Sequence, residues 1–381
     1  MPLLIVVFLL IDLLSVGFLL IDYKLWREWY LFRNTVADDY ANRCLYGAIA
    51  LLAFSAFGKH LIILLLSKVS RRDEAPKRMH TEKNNVLERP DGSKIYIEEY
   101  GNPSGQTIVF VHGWNATRSE WYYQRKYFEK QYRLIFFDLP GLGKSTRPGN
   151  KDFSLDKMAH DLNAVLEHTK AKDPILWGHS IGGMTILTLV AHHKEIIKSK
   201  IKGLILEHTT YTNPVKTIIF NKIMTAIQKP VLVPICYLLI GLSPIIWVMR
   251  WLSYFNGNSH VMTRLLTFTG TQTPQQLNFI TLLSTMAPPA VTARGVLGMF
   301  RYDVTRQLKD IKLPVLIIAA DKDRLTKPVA SQFMDVHIPY SKMITIAPGG
   351  HQGLVERHER VNEAAAEFMV NQVKMHQAAT V

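Results

Sequence analysis

The sequence predicts an α/β protein: a mostly parallel sheet with helices on both faces, an inserted helical lid, and apolar helices ahead of the sheet. Three observations carry this. From residue 84 onward short apolar runs alternate with helical segments, the pattern of parallel strands buried on both faces by crossover helices. The alternation stops over residues 208–302, and two long apolar runs occupy the first 66 residues. With 381 residues, 48% apolar and 20% charged, the chain can bury a large core and is not disordered.

The N-terminal part comes first. Residues 2–21 are apolar apart from Asp12, and twenty helical residues span about 30 Å, the thickness of a bilayer's hydrocarbon core. No basic start and no small-residue cleavage site accompany the run, which argues for an uncleaved anchor over a signal peptide. Trp26, Trp29 and Tyr30, interleaved with Lys24 and Arg27, suit an interfacial belt. A second run, 44–66, is interrupted only by Lys59 and His60 near its end, so it reads as a second span or as a helix lying in the interface. Four positives lie between the runs (Lys24, Arg27, Arg33, Arg43) and six after them (Lys68, Arg71, Arg72, Lys77, Arg78, Lys83). That asymmetry places the larger domain on the cytoplasmic side of the membrane. Residues 1–83 are thus expected to be a membrane anchor of one or two transmembrane helices with a basic linker.

The whole chain carries 45 Lys and Arg against 31 Asp and Glu, a formal charge of +14. Such a balance suits nucleic acid, an anionic membrane or an acidic partner. Here the cations flank apolar segments, which points to a membrane and not to nucleic acid. Cys44 and Cys236 stand far apart in apolar stretches and read as buried thiols; no Cys/His cluster implies a metal.

The core follows in order. Residues 86–88 and 95–99 flank Asp91-Gly92, a hairpin signal. Short strands are expected over 107–112, 134–138, 175–178, 204–207, 315–320 and 343–346, with helices over 119–129, 155–167, 182–193 and 360–373. Residues 84–207 and 303–381 form the sheet domain, and 208–302 an insertion too long for one connection. The insertion holds no Asp or Glu but has seven cations: Lys216, Lys222, Lys229, Arg250, Arg264, Arg294 and Arg301. Its stretch 230–249 is uncharged, and Pro234, Gly241 and Pro244 are expected to break it into short helices of a lid, partly membrane-immersed, over an apolar cleft.

The chemistry concentrates at Gly178-His179-Ser180-Ile181-Gly182-Gly183, directly after a strand and directly before an apolar helix. A serine on so sharp a turn needs small neighbours; its hydroxyl is thereby exposed, and the Ile181 amide at the helix start can face a developing oxyanion. A serine attacks well only if a base takes its proton, and that base must be oriented by an acid. His351 follows paired glycines after the strand 343–346, and Asp323 follows the strand 315–320; open parallel sheets place their sites at such strand ends. Asp323 is preferred to Asp321, which directly follows its strand and suits a turn cap. The other histidines considered, among them His112, His179, His192, His193, His208 and His358, read as structural or surface residues. A second oxyanion donor is expected from the amide of Trp114, after the strand 107–112. Residues 138–145 (DLPGLGKS) lack the first glycine of a phosphate loop and read as a buttressing turn.

From 84 to 378 the chain resembles the α/β-hydrolase superfamily, through HGW at 112–114, DLPGLGKS at 138–145, GHSIGG at 178–183, the Asp323 turn and GGHQ at 349–352. The resemblance implies the α/β-hydrolase fold, Ser180 as nucleophile, His351 as general base, Asp323 as its orienter, and an oxyanion hole from the amides of Trp114 and Ile181. Superfamily members with an aspartate in place of this serine are epoxide hydrolases and dehalogenases. The anchor beside such a domain looks like that of membrane-bound monoacylglycerol lipases, and the His-Gly-Trp loop is similar to that of cofactor-free perhydrolases, the bacterial haloperoxidases. The expected activity is therefore hydrolysis of carboxylic esters, above all of lipids, through an acyl-enzyme and with no metal or organic cofactor. Perhydrolysis or thioester hydrolysis on the same residues, and a non-catalytic membrane-binding module, are the alternatives. Trp114 and Trp247 are expected to contact substrate.

Overall fold

The computed structural model describes residues 2–67, 73–192 and 201–379. Lys68, Arg71 and Arg72 of the basic linker, and the expected helix end at His193, lie outside the described residues. Two long helices come first, α1 (Pro2–Phe32) and α2 (Asp38–Leu66). Phe18 meets Phe54 and Phe32 meets Tyr40 edge to face, at 5.9 and 5.7 Å between ring centroids, so the two helices form an antiparallel hairpin.

The sheet has eight strands: β1 (Asn84–Glu88), β2 (Lys94–Gly101), β3 (Thr107–Val111), β4 (Arg133–Phe137), β5 (Ile175–His179), β6 (Gly203–Glu207), β7 (Val315–Ala320) and β8 (Ser341–Ile346). Their order is β1-β2-β4-β3-β5-β6-β7-β8. β1 and β2 form the expected hairpin, β2 pairs antiparallel with β4, and the remaining pairs are parallel. This is the α/β-hydrolase fold. The chain winds outward from β3 to β4, then restarts on the other side of β3 with β5. The carboxyl ends of β3 and β5 thus flank the point where strand order reverses, where open α/β sheets bind ligands.

Alternation along each strand feeds two cores. Val109, Val111, Ile135, Phe137 and Leu176 face one layer, and Ile108, Phe110, Phe136 and Trp177 the other. Phe110 stacks on Phe136 at 4.5 Å and meets Trp121 and Trp177, all fully buried. Core helices α3 (Tyr122–Phe128, after a 3-10 turn), α4 (Leu155–His168) and α5 (Ile181–His192) cover the first half of the sheet. Ser154 caps α4, its Oγ accepting from the Lys157 amide at 3.2 Å, a device worth about 1 kcal/mol.

The insertion between β6 and β7 is helical: α6 (Asn221–Ile227), α7 (Val233–Gly241), α8 (Ser243–Phe255), α9 (Asn258–Thr267), α10 (Pro274–Met286) and α11 (Pro289–Met299). Thr212 pairs with Asp303 by a bridge and by a 2.8 Å hydrogen bond, tying its two ends together. Pro234 does not break the chain direction as expected. A π turn at Gln228–Leu232, closed by Val233 N–H to Gln228 O, widens the helix ahead of it, and the helical run continues to Gly241. The wider turn absorbs the ring and missing donor of the prolines. The break falls at Leu242, between α7 and α8. After β7 come α12 (Pro328–His337), which sequence patterning does not single out, then α13 (Gly353–Glu356) and α14 (His358–Ala379).

Three helical runs among the described residues are long and apolar enough to cross a membrane: Val6–Phe32, Asp38–Leu66 and Asn221–Gly241. The first two also pack on the insertion. Asp12, fully buried, accepts from Ser253 Oγ at 2.6 Å; Ser15 and Ser253 hydroxyls lie 2.9 Å apart; Asn258 Nδ2 donates to Ser15 Oγ at 3.0 Å. α2 approaches so closely that a Cβ at Gly58 would stand 2.7 Å from the Asn256 carbonyl oxygen. Lys59 Nζ lies 4.4 Å from the ring centre of Tyr254.

Candidate active site

β5 delivers Ser180 to the turn before α5, and the turn is tight enough to force Ser180 to φ +53°. A Cβ at Gly178 would stand 2.5 Å from the backbone of Gly182 and Gly183, so only glycine allows β5 and α5 to meet there. The serine is locked from both sides: its amide donates to Glu207 O at 2.9 Å, and Thr209 Oγ1 donates to its carbonyl at 2.6 Å.

The structure brings the three sequence-predicted side chains together. His351 Nε2 is 3.0 Å from Ser180 Oγ, and His351 Nδ1 is 2.9 Å from Asp323 Oδ2. All three residues are buried. A carboxylate only accepts, so Nδ1 carries the proton and Nε2 is free to accept from the serine hydroxyl. Asp323 is itself held by the Leu325 and Thr326 amides, donating to Oδ1 at 2.7 and 2.9 Å. Burial alone would raise the Asp323 carboxyl, but the charge and hydrogen bond of His351, with help from the Thr326 amide, hold it well below the usual carboxylate range. Burial depresses His351, and Asp323 only partly offsets this, so the imidazole rests neutral near pH 7. Asp321 points elsewhere: it is exposed, and its Oδ1 accepts from the Gly349 amide at 2.8 Å, closing the turn that leads to His351.

Trp114 follows β3 and Ile181 opens α5, so both amides border the reversal of strand order beside Ser180. Among the described residues, no backbone or side-chain acceptor takes either N–H. The Trp114 indole N–H donates to Thr292 O in α11 at 3.0 Å, joining this loop to the insertion. His112 steadies the same loop: Nε2 accepts from the Leu139 amide at 2.9 Å, and Nδ1 donates to Gly113 O at 2.8 Å. In the 138–145 turn, Asp138 takes the Lys144 amide at 2.9 Å and the Arg118 guanidinium at 2.6 Å.

Sequence reasoning missed a buried layer behind the triad-like array. His179 Nε2 donates to the His351 carbonyl at 2.9 Å, and its Nδ1 faces Glu120 Oε1 at 3.2 Å, which also accepts from the Gly113 amide at 2.5 Å. Burial works against a charged His179, but Glu120 and Glu207 outweigh it and raise its pKa. Glu207, bonded to Trp177 Nε1 at 2.9 Å, is pushed up to about 7 by burial, and His208 is pushed down to about 3 by burial. The signal available in the sequence was only His179 beside Ser180; Glu120 stands 59 residues away from it.

A narrow cavity of about 40 Å³ opens at the array, walled by His351, Trp114, Leu325, Ile280, Leu283 and Phe8. Trp247 is not among its walls. With Leu142, Trp251 and Met286 it lines a neighbouring cavity of about 380 Å³ that shares Ala116 and Leu283 with the first.

A family model described as the α/β hydrolase fold matches residues 106–230. Over 286 residues the chain is 25% identical to an uncharacterized hydrolase of Bacillus subtilis, YugF, covering 73% of this chain and 95% of that protein. Over 104 residues it is 35% identical to a non-heme haloperoxidase of Rhodococcus erythropolis, covering 27% of this chain and 37% of that protein. It is similar in structure to an esterase from Exiguobacterium antarcticum, with a TM-score of 0.59 at 24% identity over 76% of this chain and 98% of the esterase; a likeness at that identity shows the fold. The family model and the relatives support membership of the α/β-hydrolase superfamily, and with it an enzyme of the hydrolase class on an esterase-like fold.

Proposed function

We propose that the protein is a membrane-anchored serine hydrolase that cleaves carboxylic esters, with lipid esters as its substrate class. The observation that carries the reading is the continuous line from Asp323 through His351 to Ser180, with links of 2.9 and 3.0 Å. In this reading Ser180 Oγ attacks the acyl carbon while His351 Nε2 takes its proton. The oxyanion accepts from the amides of Trp114 and Ile181. His351 returns the proton to the departing alcohol, then deprotonates a water that attacks the acyl-enzyme and releases the carboxylic acid.

The lipid assignment rests on the helices. α1 and α2 have the length and composition of spans. Asp12, where α8 docks, lies near the middle of the apolar run 2–21, so the insertion sits at the depth of acyl chains once α1 crosses a bilayer. The face it turns outward there is apolar: Ile245 and Val248 of α8 are 59% and 63% exposed. Beside it, Arg147, Lys151 and Arg294 converge with Trp247 on a cavity of about 470 Å³ that has no carboxylate in its wall, a setting for anionic headgroups. The charge asymmetry around the two apolar helices supports a hydrolase domain on the cytoplasmic face.

A second reading, peracid formation on the same residues, is favoured by the haloperoxidase relative. Fluorophosphonate labelling tests the shared mechanism. Wild type should label and Ser180→Ala should not, and Asp323→Asn should lose about 10⁴-fold in kcat while Asp321→Asn stays close to wild type. Labelling of Ser180→Ala would refute both readings, and a panel of glyceryl esters with and without hydrogen peroxide would separate them. Carbonate washing should leave the full chain in the membrane pellet; release would refute the anchor.

A further inference from the structure

One feature of the anchor has no place in simple tethering: an aspartate, two serines and an asparagine bury a polar knot between α1 and the lid, where apolar packing would attach a tether equally well. Asp12 Oδ1 receives Ser253 Oγ at 2.6 Å, Ser15 and Ser253 share a 2.9 Å hydrogen bond, and Asn258 closes on Ser15 at 3.0 Å. The Arg250 guanidinium, held to Ala287 O at 2.9 Å, adds a cation whose charge reaches Asp12. Polar groups buried in an apolar contact fix one register, since any slip leaves them without partners. Here the fixed register belongs to α1 on α8 and α9.

What that register sets is visible one turn earlier. Phe8 lies four residues, about 6 Å, before Asp12 along the helix. It is half-buried, packs against the main core and forms part of the same narrow cavity wall as His351 and Trp114. We propose that α1 is a component of the substrate site: Phe8 limits the acyl group that fits beside His351, and the Asp12–Ser15–Ser253–Asn258 knot holds Phe8 at that position. The substrate pocket is therefore completed by the membrane helix itself. This rests on the ester-hydrolase reading for its substrate class, though not for the docking of α1.

The size of the cavity gives the inference its content. A volume of about 40 Å³ holds some three water-sized centres at roughly 10–15 Å³ each. A short acyl group fits; a longer one needs the Phe8 wall to be cut back. The neighbouring 380 Å³ cavity, on the far side of Ala116 and Leu283, leaves ample apolar room for the rest of the ester. The cleft is thus asymmetric, with its short arm closed by α1.

The test uses the full chain in detergent and a series of p-nitrophenyl esters from acetate to laurate. Phe8→Ala should raise the ratio of kcat/KM for octanoate over that for acetate by about 10-fold or more, the usual effect of gained room in an apolar pocket. Phe8→Trp should move the ratio the other way. An unchanged ratio, or an equal loss on every ester, overturns the wall. Docking is read without activity: in a Cys44→Ala, Cys236→Ala background, Ser15→Cys and Ser253→Cys should oxidise to a disulfide seen as a mobility shift. Failure of that cross-link overturns the docking. Loss of labelling in wild type would instead refute the ester-hydrolase reading and leave the cross-link standing.

Discussion

His179 donates its Nε2–H to the main-chain carbonyl of His351, 2.9 Å away, while Glu120 holds its other nitrogen. The residue beside the serine thus fixes the backbone of the residue that faces it. His179→Ala removes this tie without touching the reacting atoms. We expect kcat to fall by about 10- to 100-fold, because small misplacements of a reacting group cost that much, with KM within about threefold. Steady-state kinetics on a soluble ester checks it, and His179→Gln, whose amide can still donate, should recover most of the rate.

The pH profile follows from the same pair. In the proposed mechanism His351 works as a base only when neutral, and burial holds its pKa below the ordinary value of about 6.5. The acid limb of kcat/KM should therefore have its midpoint below 6.5. His179 is raised, by Glu120 and Glu207 against burial; the stability it lends is full below its unfolded value and is lost as pH rises through its folded one. Stability, read by thermal unfolding, should therefore decline on the alkaline side in wild type and not in His179→Gln. A profile with its acid midpoint above 6.5 would contradict the neutral resting state.

Arg118 lies buried between two buried carboxylates, 2.6 Å from Glu98 Oε1 and 2.6 Å from Asp138 Oδ2. Arg118→Ala leaves both uncompensated and should destabilise the domain by about 3–5 kcal/mol. Thermal or denaturant unfolding of the purified protein measures it. Arg125→Ala is the control: its partner Glu129 is one helical turn away and half-exposed, so about 0.5 kcal/mol is expected.

The lid prediction concerns two exposed side chains. Ile245→Asp with Val248→Asp should depress turnover of a long-chain glyceryl ester in vesicles at least 10-fold more than turnover of a short soluble ester, since a charge at acyl-chain depth costs several kcal/mol. Rates on vesicles should also rise with anionic lipid and fall with salt. Equal losses on both substrates would mean that the substitutions damage the fold, and rates independent of lipid charge would overturn the membrane lid.

What was legible in the sequence was local. Strand, turn and helix around Ser180 follow each other without interruption, and the residue types at Asp323 and His351 stand where strands end. The sheet was legible for the same reason, since fully buried strands leave short apolar runs. The rest depends on distant parts of the chain. Glu120 and His179 meet only because β3 and β5 are neighbours, and the π turn at Gln228–Leu232 cannot be told from a proline break by composition. The charge at Asp12 stood out in its apolar run, but its partner lies in the insertion. Trp247 lines the adjoining cavity with Leu142 and Met286 and not the narrow one beside His351, a placement set by the fold of α8 and not readable from its neighbours in sequence.

The knot at Asp12 also imposes an order of assembly. Ser253 follows Asp12 by 241 residues, so when α1 leaves the ribosome its partner has not yet been synthesised. On the proposed membrane-anchored reading, the helix enters the bilayer with a polar group bare, which costs about 2.5–3.5 kcal/mol on insertion scales, and recovers that only when the insertion folds back onto it. On that reading membrane entry precedes the locking step, and the locking step finishes the proposed pocket. It follows from the proposal that a chimera with an unrelated anchor would still reach the membrane, but would arrive with the proposed substrate cleft open on one side.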